Sequence, residues 1–292
     1  MLYILAVFTS VPVIIYAVWR KYYAKSYKTA SPAIVYHSVD TESGLVPTQV
    51  PLTEFKKQIK WLSDNKFHTI SPDDFLRQEL EKQNNPGKYS RNLFIGFEDS
   101  YVSVAVHALP ILKSAGFTST LFVISDYIGR KNNWDVRITK DFHMTEDDIR
   151  SAIKDGFTIG SHTRTHRNLR SLNDIELRDE LEGSRHALED RFGVPVHALS
   201  YPFGRYDKRI QISAKDSGYK MAFTINRPGS QKEFDPYAIP VTGIYSIDKT
   251  HNFSSKLTRT GMYWMDIMRD KMFNRFACGT ILVKSRKRKT TG

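Results

Sequence analysis

Five acidic and imidazole side chains stand where the chain could bring them together: His37, the adjacent Glu98 and Asp99, and His162 and His166 in the run HTRTH. Two imidazoles four residues apart can share one ion if the turn between them is helical, and a carboxylate from another segment completes a set of three. Two histidines and one carboxylate leave a coordination position open, which is the arrangement of a catalytic zinc site. The expected metal ligands are therefore Asp99, His162 and His166. A zinc ion bound this way lowers the pKa of water towards about 7 and can polarise a carbonyl. Glu98, beside the carboxylate ligand, is then the expected general base. Neighbouring residues of a strand normally face opposite ways, so Glu98 and Asp99 serve one site only if the strand ends there. The bland alternative for HTRTH is a pair of surface histidines beside a cap.

The elements that must position these residues follow a regular alternation. Short apolar runs predict strands at Ala33–His37, Leu93–Phe97, Ser119–Ile124, Phe157–Ser161, His197–Tyr201, Lys220–Thr224 and Ala238–Val241. Helical spacing predicts helices at Leu52–Leu62, Pro72–Lys82, Val102–Ala115, Thr145–Lys154, Asn173–Phe192 and Lys208–Ser217. Strand-then-helix alternation implies a parallel sheet or barrel with helices outside. In such a barrel the active-site face lies at the C-terminal strand ends. His37, Glu98 with Asp99, His162, and the run Tyr201, Pro202, Phe203, Gly204 all fall at or just after predicted strand ends.

These motifs, taken in order, resemble the polysaccharide deacetylases, the NodB-homology or carbohydrate esterase family 4 enzymes. The resemblance runs over residues 31–245 and rests on YHSV, GFEDSY, DGFTIGSHTRTHRNL and SYPFGRYD. The early YH is similar to the branch that includes poly-N-acetylglucosamine deacetylases. The resemblance implies a distorted (β/α) barrel and a divalent metal, with zinc favoured, that hydrolyses acyl groups on sugars. It also implies roles: Asp99, His162 and His166 as metal ligands, Glu98 as base and His37 as general acid. Tyr201, Pro202, Phe203 and Gly204 match the groove motif, whose backbone N–H around Phe203 would help hold the oxyanion. Two departures stand out. Glu98 replaces the family's usual aspartate, and Val241 stands where an arginine often supports the base.

The rest of the chain adds context. Among 292 residues, 43 Lys and Arg against 31 Asp and Glu give a net charge of +12. That excess sits at the ends: residues 1–28 hold four basic residues and no acid, and 251–292 hold ten against two. The neutral body argues against a nucleic-acid binder, which concentrates basic charge on a folded face. Leu2–Trp19 is uncharged over 18 residues, close to the length that spans a bilayer. It predicts an N-terminal transmembrane helix and a single-pass protein of the inner (cell) membrane. The basic flank Arg20–Lys28 then orients the catalytic domain towards the cytoplasm. The expected organisation is an anchor over 1–28, a deacetylase-like catalytic domain over 29–250 and a basic amphipathic segment over 251–292. A lone Cys278 excludes an intrachain disulfide. The expected function is a membrane-anchored, metal-dependent carbohydrate deacetylase acting on N-acyl groups of a polysaccharide or lipid-linked sugar. The alternative is a catalytically weak or inactive barrel that binds glycan or scaffolds a complex.

Overall fold

A computed structural model of the chain describes residues 31–41, 46–82, 91–132, 142–225 and 234–258. Its centre is a closed ring of parallel strands. In chain order these are β1 (Ala33–Tyr36), β5 (Asn92–Phe97), β6 (Thr120–Val123), β7 (Thr158–Ser161), β8 (Ala198–Ser200), β9 (Met221–Ile225) and β10 (Ile239–Gly243). Each pairs with the next around the ring, and β1 closes it by pairing with β10 on one side and β5 on the other. These seven strands are the seven the apolar runs predict, with ends shifted by a residue or two. Three short strands escape the pattern: β2 (Ser38–Asp40) and β3 (Gln49–Pro51) form a separate ribbon, and β4 (His68–Thr69) pairs with the start of β5. Runs this short have too few residues to show a period.

Both faces of the ring are apolar. Inside, Val35, Phe94, Phe122, Phe223 and Val241 pack with Ala33, Ala198 and Met221. The Phe94 and Phe223 rings stack with centroids 4.4 Å apart. Phe122 fits only because its neighbours on either side lack side chains: a Cβ on Gly96 would lie 2.9 Å from its ring, and one on Gly160 would lie 2.7 Å away. Outside, a larger cluster joins the strands to the helices α1 (Leu52–Asp64), α3 (Leu109–Ser114), α4 (Glu146–Lys154), α6 (Ser184–Phe192) and α7 (Lys208–Asp216). The Thr145 and Asp148 capping arrangement expected at the start of α4 is formed in both directions.

Helix α2 (Pro72–Lys82) closes the N-terminal mouth of the ring. Its Phe75 enters the interior cluster beside Phe94 and Phe223. Its polar side chains reach three strand starts: Glu79 accepts from the Ser31 amide, Gln78 accepts from the Asn92 side chain, and Asp73 meets the His197 ring. The opposite mouth is left for the loops that carry the site. Helix α8 (Thr250–Thr258) lies against α1, with Phe253 edge-on to Trp61. Its Lys256 is fully buried on Asp248, 2.7 Å away, and on the Gly243 carbonyl. The folded body therefore continues past the boundary expected at residue 250. The expected transmembrane segment and most of the basic C-terminal segment lie outside the described residues; among those described, no helix is long and apolar enough to cross a membrane.

Candidate active site

The site is assembled at the C-terminal ends of β1, β5, β7 and β8. Glu98 continues β5, its amide donating to the Tyr36 carbonyl at 2.9 Å. At Asp99 the backbone turns left-handed, with φ of 65°, and Ser100 follows at 47°. This departure from the pleat lets two consecutive carboxylates face one site. Such conformations are costly for residues with a side chain and persist where the surroundings enforce them. Here the enforcement is visible: the Ser100 hydroxyl donates to the Phe122 carbonyl, the Met144 amide donates to the Ser100 carbonyl, and the His143 Nδ1 lies 2.6 Å from the Asp99 carbonyl.

His162 and His166 do share a site, but not through a helical turn. The segment after β7 is an irregular loop, left-handed at Thr163 (φ 67°) and again at His166 (φ 56°). Glu180 holds this loop from behind. Its buried carboxylate accepts from the amides of Arg164 and Thr165, at 3.0 and 2.8 Å, and from the Thr165 hydroxyl. Glu180 lies in a π-helical turn, Asp179–Gly183, between helix α5 (Asp174–Arg178) and α6. The Ser161 hydroxyl ties the same loop to Ser184 at 2.8 Å and accepts from the Thr163 amide.

The result is a triad of donors. Nε2 of His162 and Nε2 of His166 each lie 3.7 Å from the same oxygen, Asp99 Oδ1. The three donor atoms lie within 4.8 Å of one another. A single ion with ligand bonds of about 2 Å would subtend separations of this order. Asp99 Oδ1 is buried and accepts no hydrogen bond among the described residues, a state that is unfavourable unless something else meets it. The His162 Nδ1 lies 2.9 Å from the Ser200 carbonyl. That contact places the proton on Nδ1 and leaves the Nε2 lone pair for a ligand role. Burial pushes His166 down to about 3, against the opposing pull of Asp99 and with the aid of His162. His166 is thus neutral, as a metal ligand must be. The residues fit a divalent cation, and two imidazoles with one carboxylate suit zinc among others.

Glu98 sits beside this triad, 2% exposed. Its Oε1 accepts from the Ser200 hydroxyl at 2.6 Å, and its Oε2 lies 3.1 Å from His37 Nε2. Burial raises the Glu98 carboxyl, but the His37 hydrogen bond, the charges of His162 and His37 and the Ser200 hydroxyl together outweigh it. The group lies below the usual glutamate value and is ionised near neutrality. In the turn Tyr201–Arg205, the amides of Tyr201, Gly204 and Arg205 donate to the carbonyls of Phe223, Tyr201 and Pro202. Phe203, at φ 60°, keeps its ring edge-on to His166, 4.7 Å away. Gly204 is required where it stands, because a Cβ would come within 2.3 Å of the Ile225 carbonyl oxygen. The Tyr201 side chain is fully buried and its hydroxyl donates to the Tyr237 carbonyl at 3.0 Å, so its part is to brace the turn. Pro202 is likewise buried.

Three contributors escape inspection of the sequence. Ser200 is hidden at the end of an apolar strand, though its place directly before YPFG was a signal. Glu180 reads as one acid among several on a helix. His143 reads as packing, because the approach of its loop to β5 has no local signature.

Comparison with known proteins finds similarity to polysaccharide deacetylases. The polysaccharide deacetylase family profile matches residues 86–222, which include Glu98, Asp99, His162, His166 and the Ser200–Gly204 turn. The matched segment is thus similar to the polysaccharide deacetylases. The chain is 29% identical over 208 residues to YxkH of Bacillus subtilis, a protein named after polysaccharide deacetylases; the match covers 71% of this chain and 69% of that one. It is 26% identical over 199 residues to the poly-beta-1,6-N-acetyl-D-glucosamine N-deacetylase of Staphylococcus epidermidis, covering 64% of this chain and 65% of that one. The chain thus spans about two thirds of the length of these relatives. Its fold is similar to the crystal structure of a polysaccharide deacetylase from Bacillus cereus, with a TM-score of 0.62 at 22% identity, covering 78% of this chain and 68% of that one.

Proposed function

We propose that this protein is a metal-dependent carbohydrate N-deacetylase. The observation that carries the reading is the division of labour within one carboxylate pair. Asp99 meets two imidazole nitrogens, while Glu98, next in the chain, meets a hydroxyl and His37 instead. A divalent cation held by Asp99, His162 and His166 would activate water at neutral pH and polarise the acyl carbonyl. Glu98, ionised and adjacent, accepts the proton of the attacking water. The Phe203 amide donates to the oxygen that becomes negatively charged as the water adds. Removal of one such donor typically costs about 100- to 1000-fold in kcat. His37 then gives a proton to the departing nitrogen as the carbon–nitrogen bond breaks, releasing a carboxylic acid and a free amine on the sugar.

An N-acylated polysaccharide is the substrate class supported by the name of the Staphylococcus epidermidis relative. A lipid-linked sugar is the alternative, supported by the apolar run Leu2–Trp19 and the basic ends of the sequence. Those features also support a membrane partner, a single-pass anchor in the cell membrane and a cytoplasmic orientation of the catalytic domain. The test is a mass-spectrometric screen of acylated oligosaccharides for loss of 42 mass units per acetyl group, roughly the difference between an acetamide and an amine, with and without chelator. Chelator-sensitive acyl loss supports the reading. Metal-loaded protein that turns over no acylated sugar would instead favour a glycan-binding or scaffold role.

A further inference from the structure

The family pattern leads one to look for an arginine beside the base at position 241. Val241 offers no donor, and it is buried in the apolar interior of the ring with Phe94 and Phe223. Support for the carboxylate comes instead from β8. Ser200 is fully buried, its hydroxyl donates to Glu98 Oε1 at 2.6 Å, and its carbonyl lies 2.9 Å from His162 Nδ1. One residue therefore grips the base with its side chain and a metal-ligand histidine with its backbone.

We infer that Ser200 is the positioning residue of the base, and that Glu98 and Ser200 are a matched pair. This rests on the reading of Glu98 as the base. Both carboxylate oxygens are engaged, Oε1 by Ser200 and Oε2 by His37 at 3.1 Å. An aspartate at 98 would end one methylene short and could not reach both partners from the same backbone. The longer side chain is thus fitted to a donor on β8, across the ring from β5 with β6 and β7 between them, and the glutamate is not a lesion of the site. Charge-assisted hydrogen bonds of this kind are short and directional, so they fix the orientation of a carboxylate as well as its state.

The test uses the full-length, zinc-loaded protein and the variants Ser200→Ala, Ser200→Cys, Glu98→Gln and Ser200→Ala with Glu98→Gln. Because the backbone carbonyl survives in each Ser200 variant, zinc content should stay at the wild-type stoichiometry. On an acylated oligosaccharide, kcat should fall about 10- to 100-fold with KM within about twofold, the scale of an ångström's misplacement. Cys keeps the size but donates weakly, so the same loss is expected there even if Ala disturbs packing. The double variant should be no slower than Glu98→Gln alone; independent, additive losses would overturn the pairing. An activity-independent readout is the carboxylate infrared band isolated by subtracting Glu98→Gln from wild type. That band should shift in Ser200→Ala and Ser200→Cys, and an unmoved band overturns the inference. If the band shifts but wild type hydrolyses no acylated sugar, the pairing stands and the proposed function fails.

Discussion

At the scale of single residues, the site makes its strongest demands on Asp99, His162, His166 and Glu98. Replacing His162 or Asp99 by alanine removes one of three donors, and elemental analysis of the purified variants should show most of the metal lost. Unchanged stoichiometry in both would place the metal elsewhere. Glu98→Gln keeps size but cannot accept a proton, so kcat should drop about 100- to 10,000-fold with metal retained. Glu98→Asp, which restores the usual family residue, should lower kcat as well, because the shorter side chain abandons Ser200 or His37; a rise in kcat would show that the pocket still fits aspartate. The metal-free protein should also weaken in mild acid. His166 is ordinary in the unfolded chain, near 6.5, and is pushed down to about 3 by burial in the fold. Between those values the unfolded state binds more protons, so stability is lost as pH falls from 6.5 towards 3. Melting temperatures in chelator at pH 7.5, 6 and 5 should decline accordingly, and less steeply in His166→Gln. The chemical types of these residues were legible in the sequence because strand ends are legible. Ser200 was not, because a serine closing an apolar strand looks like packing until its hydroxyl is seen 2.6 Å from a carboxylate.

At the scale of elements, the seven barrel strands and most helices can be read from period and breakers alone. What cannot be read is how the chain leaves a strand. The four-residue spacing of His162 and His166 suggests a helical turn, yet the structure reaches the same convergence with left-handed backbone at Thr163 and His166, braced by Glu180. The bracing acid comes from a π-helical turn between α5 and α6, and no periodicity announces which of several acids faces inward. Strand β7 shows a different constraint. Its Gly160 makes room for Phe122, so Gly160→Ala sets a Cβ 2.7 Å from that ring inside a closed barrel. Overpacking of this kind costs about 1–3 kcal/mol. Urea denaturation should show a lower midpoint with an unchanged slope, and a midpoint equal to wild type would mean that the ring has room to move.

At the scale of the whole molecule, the open mouth of the ring carries the chemistry while α2 plugs the other. Among the described residues the candidate site thus lies at one mouth of the ring, and the proposed membrane orientation of that mouth rests on the sequence before Ser31. A reporter active only in the cytoplasm, fused after Lys28, should be active if the basic flank sets the orientation. Activity of an export-dependent reporter at that position would reverse the orientation and make an exported polymer the substrate to pursue.

The closing of the ring through β1 bears on how the protein reaches its folded state. Strand β1 pairs with β5 on one edge and with β10 on the other. During synthesis its β5 partner emerges early, but its other edge stays bare until Ile239–Gly243 has left the ribosome. Contacts between distant parts of a chain are slow to form, and bare strand edges invite pairing with other chains. Nascent chains should therefore pass through a horseshoe-shaped intermediate with two sticky ends, whose yield of native protein depends on dilution and on chaperones. Once β10 docks, both edges vanish together, and the same step completes the rim on which His37 stands.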